Sequence, residues 1–304
     1  MFSIVIPLYN KSAYIEKALN SILEQKYKKF HVNIINDGST DNSLEVVKKW
    51  IDVLDVALSE KFSVVSQKNK GVSAARNLGV KLAVSEYIAF LDADDYWTEN
   101  HLYELSRLIN SFNKEVDVFS NAVSQYYDNK LHYPKLYGFE KYFGIVDFFK
   151  LPKLSNGFIN SSSVCIKKSV LILNLFPENM ENYEDTLTWA KNTGVKGFAF
   201  SSNRTCTYVI DASKASRHPE LNDFNKFKEV LFSLSVDNIV LNNYFRYFYK
   251  KEIMMARLNM SYISFFKESS KHLLKKDMFF YPLVAMFVPK FILSFIRSRR
   301  KKSN

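Results

Sequence analysis

The chain has 304 residues, 47% hydrophobic and 24% charged, values of an ordinary globular protein long enough for one large domain or a domain with an appendage. Its two cysteines, Cys165 and Cys206, have no metal-ligand spacing and cannot form a disulfide framework, which points to a reducing cytosol. The net charge of +11 is confined to the tail: residues 245–304 hold 14 Lys and Arg against 3 Asp and Glu, and the first 244 residues balance at 28 of each.

The first residues, Met1-Phe2-Ser3-Ile4-Val5-Ile6-Pro7, have no basic leader and no small-residue cleavage site, so a structural strand is expected rather than a signal peptide. That strand runs from Phe2 to Leu8 and stops at Tyr9-Asn10-Lys11. Ser12 is the expected N-cap of a helix whose apolar positions Ile15, Leu19, Ile22 and Leu23 share a face. A second strand, His31 to Ile35, ends at Asn36-Asp37-Gly38-Ser39-Thr40-Asp41, and a helix follows through Trp50. A third, Phe62 to Val65, leads to Gly71 and a helix from Val72 to Val84. Ile88 to Leu91 is the fourth strand. Strands alternating with crossover-length helices describe a parallel sheet covered on both faces. All four strand ends then lie on one side of the sheet, where ligands of open α/β folds bind.

The fourth strand stops at three carboxylates in four positions, Asp92, Asp94 and Asp95. Two readings are open for them. A hard cation, Mg²⁺ or Mn²⁺, relieves their repulsion and keeps sites free for phosphate oxygens. Alternatively, the strand ends in a polar turn, with Asp94 or Asp95 capping the next helix.

Past Trp97 the alternation fades. Thr98 is expected to cap a helix through Phe112, and Val116 to Phe119 is a strand. Gly157 to Ile166 reads as a strand with a polar interruption at Asn160-Ser161-Ser162-Ser163. Glu184 to Asn192 is a short helix that Gly194 ends, and Gly197 to Phe200 and Cys206 to Ile210 are two late strands. The pattern turns helical near Asn222. Residues 278–296 are strongly apolar but contain Pro282, Pro289 and Lys290, and Arg297, Arg299, Arg300, Lys301 and Lys302 follow. An apolar helix beside a basic cluster suits an anionic membrane surface. A helical subdomain with a solvated tail is the plainer reading.

Four motifs occur in order: Ile4 to Lys11, Asn36 to Asp41, Gly71-Val72-Ser73-Ala74-Ala75-Arg76-Asn77, and Phe90-Leu91-Asp92-Ala93-Asp94-Asp95. Together they closely resemble the family 2 glycosyltransferases, inverting enzymes of the GT-A fold, over Phe2 to Trp97. One further motif, Tyr183-Glu184-Asp185, lies beyond. The resemblance implies a Rossmann-like, mostly parallel α/β sheet with helices on both faces. It places a catalytic domain at 1–221, with a nucleotide-sugar half (1–112) and an acceptor half (113–221), before a helical, basic, membrane-associating region at 222–304.

The resemblance also implies the site. Asp185 is the base that takes the acceptor proton, with Glu184 in support. Pro7, Tyr9 and Asp37 hold the nucleoside, Asp37 accepting from a uracil ring, and Arg76 helps hold base or phosphate. Asp92 lies nearer the ribose, and Ala93 is among the donor-binding residues. Asp94, with Asp92 and His218, would bind Mn²⁺ or Mg²⁺, and Lys214 and Arg217 close over the diphosphate. The implied function is metal-dependent, inverting transfer from a nucleotide-diphosphate sugar, a uridine one, to a glycan or lipid-linked glycan in bacterial surface-polysaccharide or lipopolysaccharide synthesis. The expected place is peripheral, on the cytoplasmic face of the membrane, with no nucleic-acid partner. The competing reading is a basic, non-catalytic protein that binds membrane or nucleic acid on such a scaffold.

Overall fold

The computed structural model describes residues 1–150 and 157–210, together with Val230. The chain divides into two units, Met1–Ala215 and Ser216–Asn304, and every described residue but Val230 belongs to the first. Lys214, Arg217 and His218, the apolar segment 278–296 and the basic cluster at 297–302 lie outside the described residues.

Strand β1 (Phe2–Leu8) is buried along its whole length, as an apolar, β-branched run must be when both faces of the sheet are covered. After α1 (Ile15–Leu23) come β2 (Phe30–Asp37), α2 (Ser43–Asp52), a single turn α3 (Val56–Ser59), β3 (Phe62–Gln67), α4 (Val72–Leu82) and β4 (Tyr87–Phe90). Parallel pairing joins β1 to β2 and β4, and β2 to β3. Helix α1 buries Ile15, Ala18, Leu19 and Ile22, each worth up to about 1.5–3 kcal/mol for the larger side chains. Ser12 is not its cap. The helix begins three residues later, after Tyr14, with no side-chain cap, and the Ser12 backbone N–H donates to Asp41 at 3.1 Å.

Helix α4 lies unusually close to β1. A Cβ on Gly79 would come within 2.3 Å of Val5 Cγ1, so only glycine permits this approach. The helix starts at Gly71, whose φ of 90° is also a glycine conformation.

The second half makes the sheet mixed. Its elements are β5 (Tyr96–Trp97), α5 (His101–Phe112), β6 (Val118–Tyr127), β7 (Lys130–His132), β8 (Phe143–Val146), β9 (Val164–Lys167), a four-residue α6 (Lys168–Leu171), α7 (Glu184–Thr193) and β10 (Phe198–Val209). The order is β3-β2-β1-β4-β9-β6-β10-β5, with β7 on β6 and β8 on β10. Strand β9 runs antiparallel between β4 and β6, whereas β6 and β10 are parallel.

Several boundaries differ from expectation. Asn100, not Thr98, precedes the first residue of α5, and neither Asp94 nor Asp95 caps that helix. Of the strand expected over Gly157 to Ile166, the Ser161–Ser163 stretch is a 3-10 turn and only the residues from Val164 pair. The two late strands are one, β10, kept continuous by register shifts between Ser201 and Cys206. Strand β6 runs eight residues past Phe119. Its polar Ser120 and Asn121 are buried, and each donates to a remote carbonyl, Ser120 Oγ to Phe158 (2.9 Å) and Asn121 Nδ2 to His101 (3.1 Å). Cys165 and Cys206 are both buried, and burial pushes both thiols up.

Candidate active site

Three strand ends and one helix start meet at the C-terminal edge of the parallel half. Pro7 is buried in β1, and Tyr9, just past its end, is 42% exposed. Asp37, the last residue of β2, is buried and accepts three hydrogen bonds. They come from Gln67 Nε2 (2.7 Å) and the backbone N–H groups of Lys70 (2.9 Å) and Gly71 (2.8 Å). A carboxylate offers about four lone-pair positions, so Asp37 fixes the Gly71 turn and keeps an acceptor for one more donor.

The turn after β1 is fastened to the turn after β2. Asn10, at φ 51°, accepts the Thr40 N–H at 2.8 Å, and the Lys11 N–H donates to Ser43 Oγ at 2.7 Å. Asp41 anchors the same turn. Burial works against its charge, but hydrogen bonds from Ser43 and Ser12 outweigh it and pull the carboxyl down to about 2. From this braced turn Lys11 reaches across to pair with Asp94.

The run Asp92–Asp95 forms a turn, with the Asp95 N–H donating to the Asp92 carbonyl at 3.0 Å. Its three acids play different parts. Asp95 is buried, takes a hydrogen bond from Ser162 Oγ and another from the Val209 N–H at 2.9 Å, and so ties the turn to the second half. Burial, and then the charges of Asp92 and Asp94, hold its carboxyl well above the usual range. Ser162 Oγ also accepts the Asp92 N–H at 3.0 Å, and its carbonyl accepts the Trp97 indole N–H at 2.6 Å. Sequence reasoning missed Ser162. Its one signal was a polar run inside an apolar strand.

Arg76 is only 3% exposed, so it is no surface salt-bridge residue. Its Nη2 donates to Asp92 at 2.7 Å, and its Nη1 faces Glu184 at 3.6 Å. Burial opposes its charge, yet the carboxylates of Asp92, Glu184 and Asp185 overcome that and hold its pKa above the usual value. Nε and Nη1 have no hydrogen-bond partner among the described residues. The guanidinium therefore joins the acid at the end of β4 to the acid that opens α7.

Glu184 and Asp185 begin α7 after Tyr183, which takes a left-handed conformation at φ 64°. Asp185 accepts from the Thr186 hydroxyl at 3.1 Å. Burial and then the adjacent Asp185 raise Glu184 to about 7, against the pull of Arg76. The Tyr208 hydroxyl is also affected: burial and the charges of Asp95, Asp92, Asp94 and Asp185 push it up to about 12.

No group of three or more His, Cys, Asp and Glu able to hold a metal ion exists among the described residues. Asp94 and Asp92 offer hard oxygen donors at one turn. That set fits Mg²⁺ or Mn²⁺, which takes one or two carboxylates and completes its shell with water and substrate phosphate. Lys214, Arg217 and His218 lie outside the described residues.

The family model of glycosyl transferase family 2 matches residues 3–171, more than half of the chain. The chain belongs to this family. Among the relatives of this family 2 member, GlyA of Streptococcus pneumoniae is 32% identical over 125 residues, 41% of this chain and 16% of that protein. GlyG of the same species is 33% identical over 129 residues, 42% of this chain and 40% of that protein. The matches thus span well under two thirds of either relative. Crystallised residues 1–349 of S. aureus TarS in complex with UDP-GlcNAc superpose with a TM-score of 0.66 at 19% identity, covering 94% of this chain and 80% of that one. The mannosyltransferase PcManGT from Pyrobaculum calidifontis, in complex with GDP-Man and Mn²⁺, gives 0.54 at 18% identity, covering 95% and 86%. Identities this low speak for the fold, and the fold is of the GT-A type.

Proposed function

We propose that the chain transfers a sugar from a UDP-sugar to a hydroxyl of a glycan or lipid-linked glycan, with inversion at the anomeric carbon. One observation carries this: a single buried guanidinium, Arg76, links the carboxylate at the donor end of β4 to the carboxylate pair that opens α7. That pair would face the sugar from the side opposite the leaving diphosphate, as direct displacement requires. The structures of TarS with UDP-GlcNAc and of PcManGT with GDP-Man support a nucleotide-sugar donor.

In this reading Asp37 accepts the imide N–H of uracil, while Pro7 and Tyr9 line the base and ribose pocket. Asp185 takes the acceptor hydroxyl proton as that oxygen attacks C1, and the bond from C1 to the diphosphate breaks, so no covalent enzyme intermediate forms. Glu184 stands beside Asp185 and is held by Arg76. Mn²⁺ or Mg²⁺ would be held by Asp94 with Asp92, and when bound it neutralises charge on the departing diphosphate. Lys214, Arg217 and His218 are assigned to the same diphosphate and cation.

We further assign the chain to the cytoplasmic face of a bacterial membrane, in surface-polysaccharide synthesis, on the strength of the apolar segment 278–296 and the basic cluster after it. The test is a panel of nucleotide sugars with Mn²⁺, read as thermal stabilisation and as release of the nucleoside diphosphate. Asp185→Asn should still be stabilised by the donor and lose turnover. A fully active Asp185→Asn protein would place the base elsewhere.

A further inference from the structure

Helix α4 does more than carry Arg76. The next residue, Asn77, is also buried, and its side-chain amide grips the segment leading to the carboxylate pair. Asn77 Oδ1 accepts the Phe176 N–H at 2.9 Å, and Nδ2 donates to the Phe176 carbonyl at 2.9 Å and to Glu178 Oε1 at 2.9 Å. One amide thus makes both backbone hydrogen bonds of a residue 99 positions away, as a neighbouring strand would. Phe176 is then fixed from three sides. Its ring lies 5.2 Å from the Arg76 guanidinium, 5.2 Å from the Phe90 ring and 5.5 Å from the Trp189 ring, both aromatic contacts edge-on. Phe90 stands two residues before Asp92, and Trp189 belongs to α7, the helix that Glu184 and Asp185 open. Contacts from Asn77 to Phe176 and on to Trp189 therefore set how far α7 stands from the donor carboxylates.

We infer that Asn77 is a positioning residue for the reaction: it fixes the Phe176–Glu178 segment, and with it α7, so that Glu184 and Asp185 stand at a set distance from Arg76 and Asp92. The inference rests on the transferase reading above and adds to it which residue sets the spacing between its two halves. Displacement of a reacting group by about an ångström costs roughly a hundredfold in rate, whereas Asp37 of the nucleoside pocket meets α4 only at Gly71, before its first turn and six residues ahead of Asn77. Losing Asn77 should therefore depress turnover and spare nucleotide binding.

The experiment uses the full chain with UDP and UDP-GlcNAc as probes, in Mn²⁺. UDP affinity is measured by calorimetry, and kcat and KM from UDP release. For Asn77→Ala we expect kcat to fall at least about tenfold, with KM and UDP affinity within about twofold of wild type, the pattern of a contact realised in the transition state. Wild-type kcat in Asn77→Ala overturns the inference. Loss of UDP affinity in parallel with kcat also overturns it, because Asn77 would then support the donor half in general. Glu178→Ala guards against a simple folding failure, since Glu178 is exposed and its loss removes one of the three hydrogen bonds. It should lower kcat about threefold with an unchanged melting temperature, and no change there also counts against the role. A wild-type chain that neither binds UDP nor releases it from the donor overturns the transferase reading itself, and the role of Asn77 with it.

Discussion

The Lys11 ammonium pairs with the Asp94 carboxylate, so the acid assigned to the cation already has a counter-ion from the protein. Lys11 does not arrive there by chance of a loose side chain. Its backbone is held by Ser43, and the preceding Asn10 is held by Thr40 and Ser39. A cation binding Asp94 must displace or share with this ammonium. Unit charges about 4 Å apart interact by about 1 kcal/mol even in water, so Lys11→Ala should tighten Mn²⁺ binding in the absence of nucleotide by roughly fivefold. Titration of Mn²⁺ followed by its paramagnetic resonance signal checks this. Unchanged affinity would mean that Lys11 and the ion do not compete.

What could be read from the chain and what could not divides along contact distance. Asp37, Arg76, Asp92, Asp94, Glu184 and Asp185 each sit in a short motif at a strand or helix end, and the topology that gathers them follows from alternation of strands and helices. The contacts made by Ser162 and Asn77 cannot be read locally, because their partners stand 70 and 99 residues away; the polar run around Ser162 shows only that the strand is interrupted. Arg76 stands in a motif that marks it as a candidate, but its link between two acids cannot be read there, since nothing local separates a buried guanidinium from a surface one. Strand β6 was cut short for a related reason. Ser120 and Asn121 break the apolar pattern, and only their remote acceptors make them tolerable in a buried strand.

The pH dependence of turnover should reveal Glu184. Burial and the adjacent Asp185 raise its carboxyl to about 7, so it carries a proton below that pH and a charge above it. A charge gained there adds negative potential where the acceptor proton is to be received, and kcat/KM should therefore rise through an apparent pKa near 7. Glu184→Gln keeps the shape, lacks the titration, and should flatten that limb between about pH 6 and 8. A limb that persists unaltered in Glu184→Gln assigns the ionisation to another group.

Asp95 makes a separate prediction about stability. Its carboxyl is raised above the unfolded value by burial and by Asp92 and Asp94. An acid raised on folding favours the native state at low pH, and that contribution is lost as pH rises from the unfolded pKa through the folded one. Asp95→Asn cannot ionise and can still accept the Val209 N–H. The melting temperature of Asp95→Asn relative to wild type should therefore increase from pH 5 to pH 9. A gain of about 1 kcal/mol corresponds to roughly 2–4 °C in a domain of this size. A difference that shrinks with pH would show that Asp95 is stabilised in its charged form.

The last prediction concerns the close contact that brings Arg76 and Asn77 to the strand ends. On Gly79 an added Cβ would lie 2.3 Å from Val5 Cγ1 and 3.0 Å from Cγ2. Val5 cannot withdraw, because it is fully buried and its strand is paired on both sides, to Asn33 and Phe90. Gly79→Ala should therefore cost about 1–3 kcal/mol through overpacking, although alanine is the better helix former by about 1 kcal/mol. Val5→Ala removes both methyl groups that the new Cβ would strike. The double variant should consequently lose less stability than the two single losses added together, with a coupling of about 1 kcal/mol or more in urea denaturation. Strict additivity would show that α4 does not press on β1 at this point.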